Sequence, residues 1–183
     1  VQPGTAKATY RPRVIVLTDI GNEPDDSESF VRFLLYTNDF DVEGLVPSTS
    51  RHLQDTINPQ MLTMRIEAYR TVLRNLRVHD KRYPDADALL AKVKRGRPEY
   101  GMAGVGDGKD TEASEWIIRT VDAPDPRPVW VTVWGGAVDL AQALRKPVHV
   151  RGPRPHHPAH RHAARRQPHQ HGFAAGQQAF AQG

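Results

Sequence analysis

The sequence predicts an α/β fold, a Rossmann-like three-layer αβα arrangement with a mainly parallel sheet. Apolar strand-like runs alternate with amphipathic helical segments between residues 13 and 145, and this alternation favours parallel strands joined by right-handed crossovers. The first strand, over residues 14–17, is a continuous apolar and mostly β-branched run. Such a run is typical of a central parallel strand that is buried on both faces.

The remaining elements follow from hydrophobic spacing and from helix-start signals. Pro59 suits the first turn of a helix, because that turn does not need the missing N–H. Apolar residues spaced for one stripe continue from there to Leu76. In chain order, the predicted elements after the first strand are helix 27–36, strand 42–46, helices 59–76, 85–93 and 112–121, strand 129–134 and a helix through 144.

Two sets of side chains are expected to pack inside the domain. In the helix 112–121, Trp116, Ile117 and Val121 are expected to face inward. In the third strand, Trp130 and Trp134 lie on one face by alternation. For these two indoles, core packing is preferred to stacking on a sugar.

Charge divides the chain into two parts. The 183 residues carry a net charge of +4, yet all 21 acidic residues lie at or before Asp139. Six of the 25 basic residues lie after position 145, so residues 1–145 carry 19 basic and 21 acidic groups, a net charge of −2. The basic balance therefore does not indicate a nucleic-acid partner.

Two further classes of protein are excluded by composition. No apolar run approaches the roughly 20 residues of a membrane-spanning helix, so no membrane partner is expected. The absence of cysteine excludes a disulfide scaffold and a thiolate zinc site. We predict an N-terminal extension over residues 1–12, a folded domain over 13–145 and a disordered tail rich in His, Arg and Pro over 146–183.

Acidic residues cluster where the first strand ends. Asp19 follows the strand directly, and Asp25 and Asp26 open the next helix, with Glu23 close by. Ligands of doubly wound sheets bind at this edge. Crowded carboxylates repel one another, and a hard cation such as calcium or magnesium relieves that repulsion. The alternative is that Asp25 and Asp26 simply begin a helix, where acids are favoured. Helix capping does not explain Asp19.

The stretch Thr-Asp-Ile-Gly-Asn-Glu-Pro-Asp-Asp, residues 18–26, resembles the N-terminal signature of the inosine–uridine nucleoside hydrolase superfamily. More specifically, it is similar to the nucleoside hydrolase-like domain of bacterial proteins described as cellulose-binding. Segments 101–108 and 130–144 also look like that domain. The resemblance covers roughly residues 10–145 and implies the N-terminal half of a nucleoside hydrolase-like fold, with hydrolysis of an N-glycosyl bond through an oxocarbenium-like state.

The resemblance also implies roles for single residues. Asp19 corresponds to a Ca²⁺ ligand that deprotonates the attacking water, and Asp26 to a second Ca²⁺ ligand. Asp25 corresponds to the aspartate that binds ribose hydroxyls. The main-chain carbonyl at Trp134 lies where the family supplies a backbone ligand to calcium. Asn22 is a further candidate for substrate binding.

The loop after the second strand borders the same crevice. Ser48, Thr49, Ser50 and His52 offer hydroxyls and an imidazole that suit a sugar, and Ser50 is the substrate-binding candidate among them. An ordinary polar loop explains these residues equally well. The glycine-rich run 101–108 lacks the ending of a phosphate-binding P-loop and is interpreted as a loop at the pocket edge.

Two departures from the family pattern reduce the expected activity. Gly21 stands where the family has its second aspartate. The family's later calcium-ligating aspartate and its leaving-group histidine have no counterpart after Asp139, so a truncated form with impaired turnover is expected. The alternative is a noncatalytic carbohydrate-binding (cellulose-binding) protein. Either function implies a nucleoside or carbohydrate ligand. An oligomer is possible, and a secreted or periplasmic location is expected.

Overall fold

The fold, taken from a computed structural model that describes residues 10–145, is built on a parallel three-stranded sheet in the order β2-β1-β3. Strand β1 spans Arg13–Thr18, β2 spans Asp41–Pro47 and β3 spans Val129–Val133. Both neighbours of β1 run parallel to it. The predicted central position of the first strand is confirmed, since all six of its residues are buried.

Helices cover both faces of the sheet, so the predicted three-layer αβα arrangement is confirmed. On one face, Val14 and Val16 of β1 pack with a cluster from the first three helices. On the other, Ile15 and Leu17 pack with residues of the last two helices. The helices are α1 (Pro24–Leu34), α2 (Pro59–His79), α3 (Ala86–Leu90), α4 (Glu112–Asp122) and α5 (Val138–Arg145), with a 3-10 turn at Gly101–Gly104.

Helix boundaries differ from the prediction in ways that local chemistry explains. Helix α1 begins at Pro24, three residues earlier than expected, because proline occupies the first turn and acids follow it. Helix α2 continues one turn past the predicted end, to His79, and its buried stripe is Leu62, Ile66, Tyr69 and Leu73. Helix α3 is shorter than predicted, and β3 ends one residue earlier.

The expected inward packing of several large side chains is wrong. Trp130 is 61% exposed and Trp134 is 38% exposed. Strand β3 lies at the edge of the sheet, and the helices on the Trp130 face pack over β1 and β2. On α4, Ile117 is buried as predicted and Trp116 is half-buried, whereas Val121 is exposed.

Part of the predicted domain organisation lies outside the described residues. This applies to residues 1–9 of the N-terminal extension and to the tail over 146–183, including its predicted disorder. Within residues 10–145, no helix is long and apolar enough to span a membrane.

Candidate functional site

Three strand ends meet at one edge of the sheet. The Ser48 N–H, just after β2, donates to the Thr18 carbonyl of β1 over 2.8 Å. The Trp134 N–H, just after β3, donates to the Leu17 carbonyl, also over 2.8 Å. The residues that follow all three strands are thereby held together at their carboxyl ends, the edge at which parallel α/β sheets bind their ligands.

Asp19 occupies the centre of this edge. It follows the middle strand and is only 6% exposed. Gly135, beyond β3, packs directly against it: a Cβ atom at Gly135 would lie 2.7 Å from the Asp19 Cβ, Cγ and Oδ1 atoms. The close approach of the Gly135 backbone therefore fixes the position of the Asp19 carboxylate, and any larger residue there would displace it.

The first turn of α1 brings in the other acids. Asp26 Oδ2 accepts a hydrogen bond from the Glu23 N–H at 3.0 Å, so the helix-capping interpretation is correct for Asp26. Burial nevertheless raises the pKa of the Asp26 carboxyl; the hydrogen bond from Glu23 opposes this, and the negative charges of Asp19, Asp25 and Glu23 raise it further. Burial and the acidic neighbours thus act in the same direction on the pKa of the Asp26 carboxyl.

A cavity of about 500 Å³ opens beside the first turn of α1, and Asp19 is not among its lining residues. Asp25 and Asp26 form part of its wall, and Trp134 lies among its lining residues. The Trp134 ring packs edge-on against Phe33, with 5.8 Å between ring centroids. The rest of the lining is aromatic or polar and comprises Ser29, Arg32, Phe33, Tyr36 and Phe40. The cavity thus combines carboxylates with an aromatic wall.

Two predicted substrate-binding residues have structural contacts of their own. The Asn22 N–H donates to the Asp19 carbonyl over 3.1 Å and closes the turn between β1 and α1. The buried Ser50 Oγ accepts hydrogen bonds from the N–H groups of His52 and Leu53, both at 3.2 Å. Neither residue lines the cavity beside Asp25 and Asp26, so their role in binding stays a prediction.

The missing family aspartate at position 21 has a steric explanation. Gly21 adopts φ +96°, a conformation that favours glycine. A Cβ there would lie 2.5 Å from Met61 Sδ and 2.8 Å from Asn58 Nδ2. The Asn58 amide in turn donates to the Ile20 carbonyl over 3.1 Å. The start of α2 therefore occupies the space into which an acidic side chain would project.

A second, more apolar groove continues from the cavity along the edge strand. It measures about 430 Å³ and shares Phe33, Phe40 and Trp134 with the first cavity. Trp130 and Tyr10 extend it past the strand edge. Hydrophobic alternation in β3 does not predict this groove, because it does not show that the described helices leave this face of the strand uncovered.

Asp139 is a buried acid whose importance the sequence alone did not indicate. It is fully buried at the start of α5, accepts the Thr111 hydroxyl at 2.6 Å and accepts the Arg97 N–H at 3.1 Å. Burial raises the pKa of its carboxyl against these hydrogen bonds. The available signal was an acid in the first turn of a helix after Gly135-Gly136. Asp139 joins α5 to the start of α4 and has a structural role.

The candidate donor atoms at the strand ends are all oxygens, which is the ligand type that a hard cation prefers. Asp19 and Asp26 supply carboxylate oxygens, and the Trp134 carbonyl lies at the same edge. Calcium takes roughly six to eight oxygen ligands. In the part of the chain described, no group of three or more His, Cys, Asp or Glu side chains is arranged to hold a metal ion. The acids alone therefore make up only part of a calcium shell.

Comparison with known proteins supports the resemblance seen in the sequence. Residues 13–165 match the family model described as "Cellulose-binding Sde182, nucleoside hydrolase-like domain". One solved structure, a nucleoside hydrolase-related hypothetical protein from Saccharophagus degradans that is associated with carbohydrate metabolism, is 41% identical with a TM-score of 0.72. The match covers 74% of this chain and 33% of that one. No curated protein matches the chain.

The family match and the fold agree on the same part of the molecule. The matched residues begin at the first residue of β1 and include every described strand and helix. The chain spans about a third of the length of the solved relative, so that relative's activity as a whole does not transfer to it. By the match over residues 13–165, the chain belongs to the family of nucleoside hydrolase-like domains of cellulose-binding Sde182 proteins.

Proposed function

We propose that the crevice at the carboxyl ends of β1, β2 and β3 is the calcium-binding part of an N-glycosyl hydrolase site of the nucleoside hydrolase type. The observation that carries this proposal is the buried Asp19 at the end of the central strand, just before the turn of α1 that holds Asp26. The start of α1 accounts for Asp25 and Asp26, because acids are favoured in the first turn of a helix. It leaves the buried acid at the end of the central strand without a structural reason.

The proposed roles divide among three carboxylates and one carbonyl. Asp19 and Asp26 would hold the cation together with the Trp134 carbonyl. Asp19 also accepts the proton of the attacking water, and its burial shields that proton from bulk solvent. Asp25, exposed at the cavity wall, accepts hydrogen bonds from sugar hydroxyls. A calcium ion bound here would polarise the water and neutralise the carboxylates.

The sugar would develop positive charge as the N-glycosyl bond breaks. Asp25 lies in the cavity wall and is not one of the proposed calcium ligands, so it is the carboxylate that would stabilise this charge electrostatically. The aromatic wall formed by Phe33 and Trp134 gives the apolar part of the ligand a surface to pack on.

Ribose release from nucleosides, with and without a calcium chelator, tests the catalytic proposal. We expect release that the chelator abolishes, and at least a hundredfold loss in Asp19→Asn, since a general base contributes about 10²–10⁴ in rate. Asp87→Asn is the matched control, because Asp87 is an exposed acid that pairs with Arg70 on the protein surface. Turnover that survives both chelation and Asp19→Asn contradicts the proposal.

A second candidate function is carbohydrate binding without catalysis. The observation that favours it is the aromatic lining of Phe33, Tyr36, Phe40 and Trp134 beside two acids, since aromatic rings and carboxylates together suit the faces and hydroxyls of a sugar. The family description and the carbohydrate association of the solved relative agree with it. Calorimetric binding of cello-oligosaccharides, weakened in Trp134→Ala and accompanied by no nucleoside turnover, would select this function.

A further inference from the structure

Two hydroxyl groups beside the proposed site are buried without a hydrogen-bond partner in the described part of the chain: Thr18 Oγ1 and Ser48 Oγ. Each residue is only 1% exposed. Burying a hydroxyl that bonds to nothing is unfavourable, and such a group in a folded protein calls for an explanation. One explanation is an ion or ligand that binds to the hydroxyl. This explanation suits only one of the two residues, because they face opposite sides of the sheet.

Ser48 lies on the same face of the sheet as Asp19. Leu17 and Val46 are register partners, and both pack in the cluster with α4 and α5. Asp19 and Ser48 come two residues later on each strand, and the hydrogen bond from the Ser48 N–H to Thr18 shows that pairing continues to that point. Side chains two residues apart on a strand share a face. The contact of Asp19 with Gly135, beyond β3, agrees with this placement.

Thr18 lies on the opposite face. Its neighbours at two-residue spacing, Val16 and Ile20, both belong to the cluster with α1 and α2. The two hydroxyls are therefore alike in burial and in their lack of a partner. They differ in whether they share a face with the Asp19 carboxylate.

We propose that the Ser48 hydroxyl is a further oxygen ligand of the cation held by Asp19. The inference rests on the proposed calcium site. A hard cation prefers uncharged and charged oxygen donors together, and a hydroxyl oxygen supplies lone pairs without adding negative charge to an already crowded group of acids. The unpartnered Ser48 oxygen thereby acquires a bonding partner. Ser50, whose Oγ already accepts two backbone N–H groups, has no such need.

Calorimetric titration with CaCl₂ tests this on the whole chain, with Ser48→Ala and Thr18→Val as a matched pair. Each variant removes one buried, unpartnered hydroxyl. We expect Ser48→Ala to weaken calcium binding about tenfold and Thr18→Val to leave it unchanged. If Ser48→Ala binds calcium as tightly as the original chain does, the inference about Ser48 is wrong and the proposed calcium site is unaffected. An original chain that binds no calcium overturns the proposed site and this inference with it.

Ser48→Cys keeps the test decisive if Ser48→Ala fails to fold. It nearly preserves the size of the side chain and replaces the hydroxyl oxygen by sulfur. A soft thiolate suits cadmium better than calcium. Direct ligation therefore predicts that this variant loses calcium affinity and gains at least tenfold in cadmium affinity over the original chain. Unchanged affinity for both ions would show that Ser48 does not touch the cation.

Discussion

Replacing Gly135 by alanine should move the Asp19 carboxylate. The added Cβ would lie 2.7 Å from three atoms of Asp19, whereas ordinary contacts begin at 3.4 Å. Asp19 must therefore shift by about 0.7 Å, the difference between the two distances. Forcing extra volume into a packed site costs about 1–3 kcal/mol, which for a chain of this size lowers the melting temperature by about 2–12 °C. We expect calcium affinity to fall about tenfold as well, because metal ligands tolerate only small displacements.

Thermal unfolding followed by circular dichroism, combined with calcium titration, measures both effects. Gly44→Ala is the control: its Cβ would meet Ile15 Cγ2 at 3.2 Å, a tight side-chain contact that does not involve Asp19. We expect Gly44→Ala to bind calcium as the original chain does. If Gly135→Ala loses stability and keeps full calcium affinity, then Asp19 is not a ligand and the reasoning about the site fails.

Three further predictions follow from single residues. The pKa of the Asp26 carboxyl is raised in the folded state, so its contribution to stability is largest below its unfolded pKa and is lost as pH rises through the folded pKa. Melting curves across acidic pH should show this loss of stability. The Asp26→Asn variant should show a smaller loss. Asp139→Ala leaves the Thr111 hydroxyl and the Arg97 N–H without their buried partner. The free energy of unfolding, measured with urea, should therefore fall by roughly 2–5 kcal/mol, and a fall of less than about 1 kcal/mol would contradict this. Trp130→Ser, at a 61% exposed position, should change stability by about 0.5 kcal/mol or less, and a larger loss would show that the indole is covered in solution.

The site was predictable in outline because strand ends are marked in the sequence. A buried β-branched run followed at once by Asp19 places a carboxylate at the edge where α/β sheets bind ligands. The nearness of Asp25 and Asp26 follows from the short turn that leads into α1. Both inferences use only local order along the chain. Neither inference depends on where β3 or the later helices lie.

Other parts of the site depend on contacts between distant segments. Gly135 lies more than a hundred residues after Asp19, and nothing in the spacing of either residue shows that they touch. The same holds for Met61, which closes the space beside Gly21. Ser48 was one of several polar residues in a loop, and only the hydrogen bonds that the Ser50 hydroxyl accepts separate it from the unpartnered Ser48 hydroxyl.

The amino-acid sequence by itself determined the α/β class, the central position of β1 and the gathering of acids where that strand ends, because these follow from hydrophobic period and from residues close together in the chain. Only the tertiary structure decided that β3 forms the edge of the sheet, that Trp130 is exposed there, that Gly135 packs against Asp19 and that the Ser48 N–H pairs with the end of β1. Burial and close approach depend on which segments come together in space, and a linear pattern of apolar and polar residues does not specify those partners.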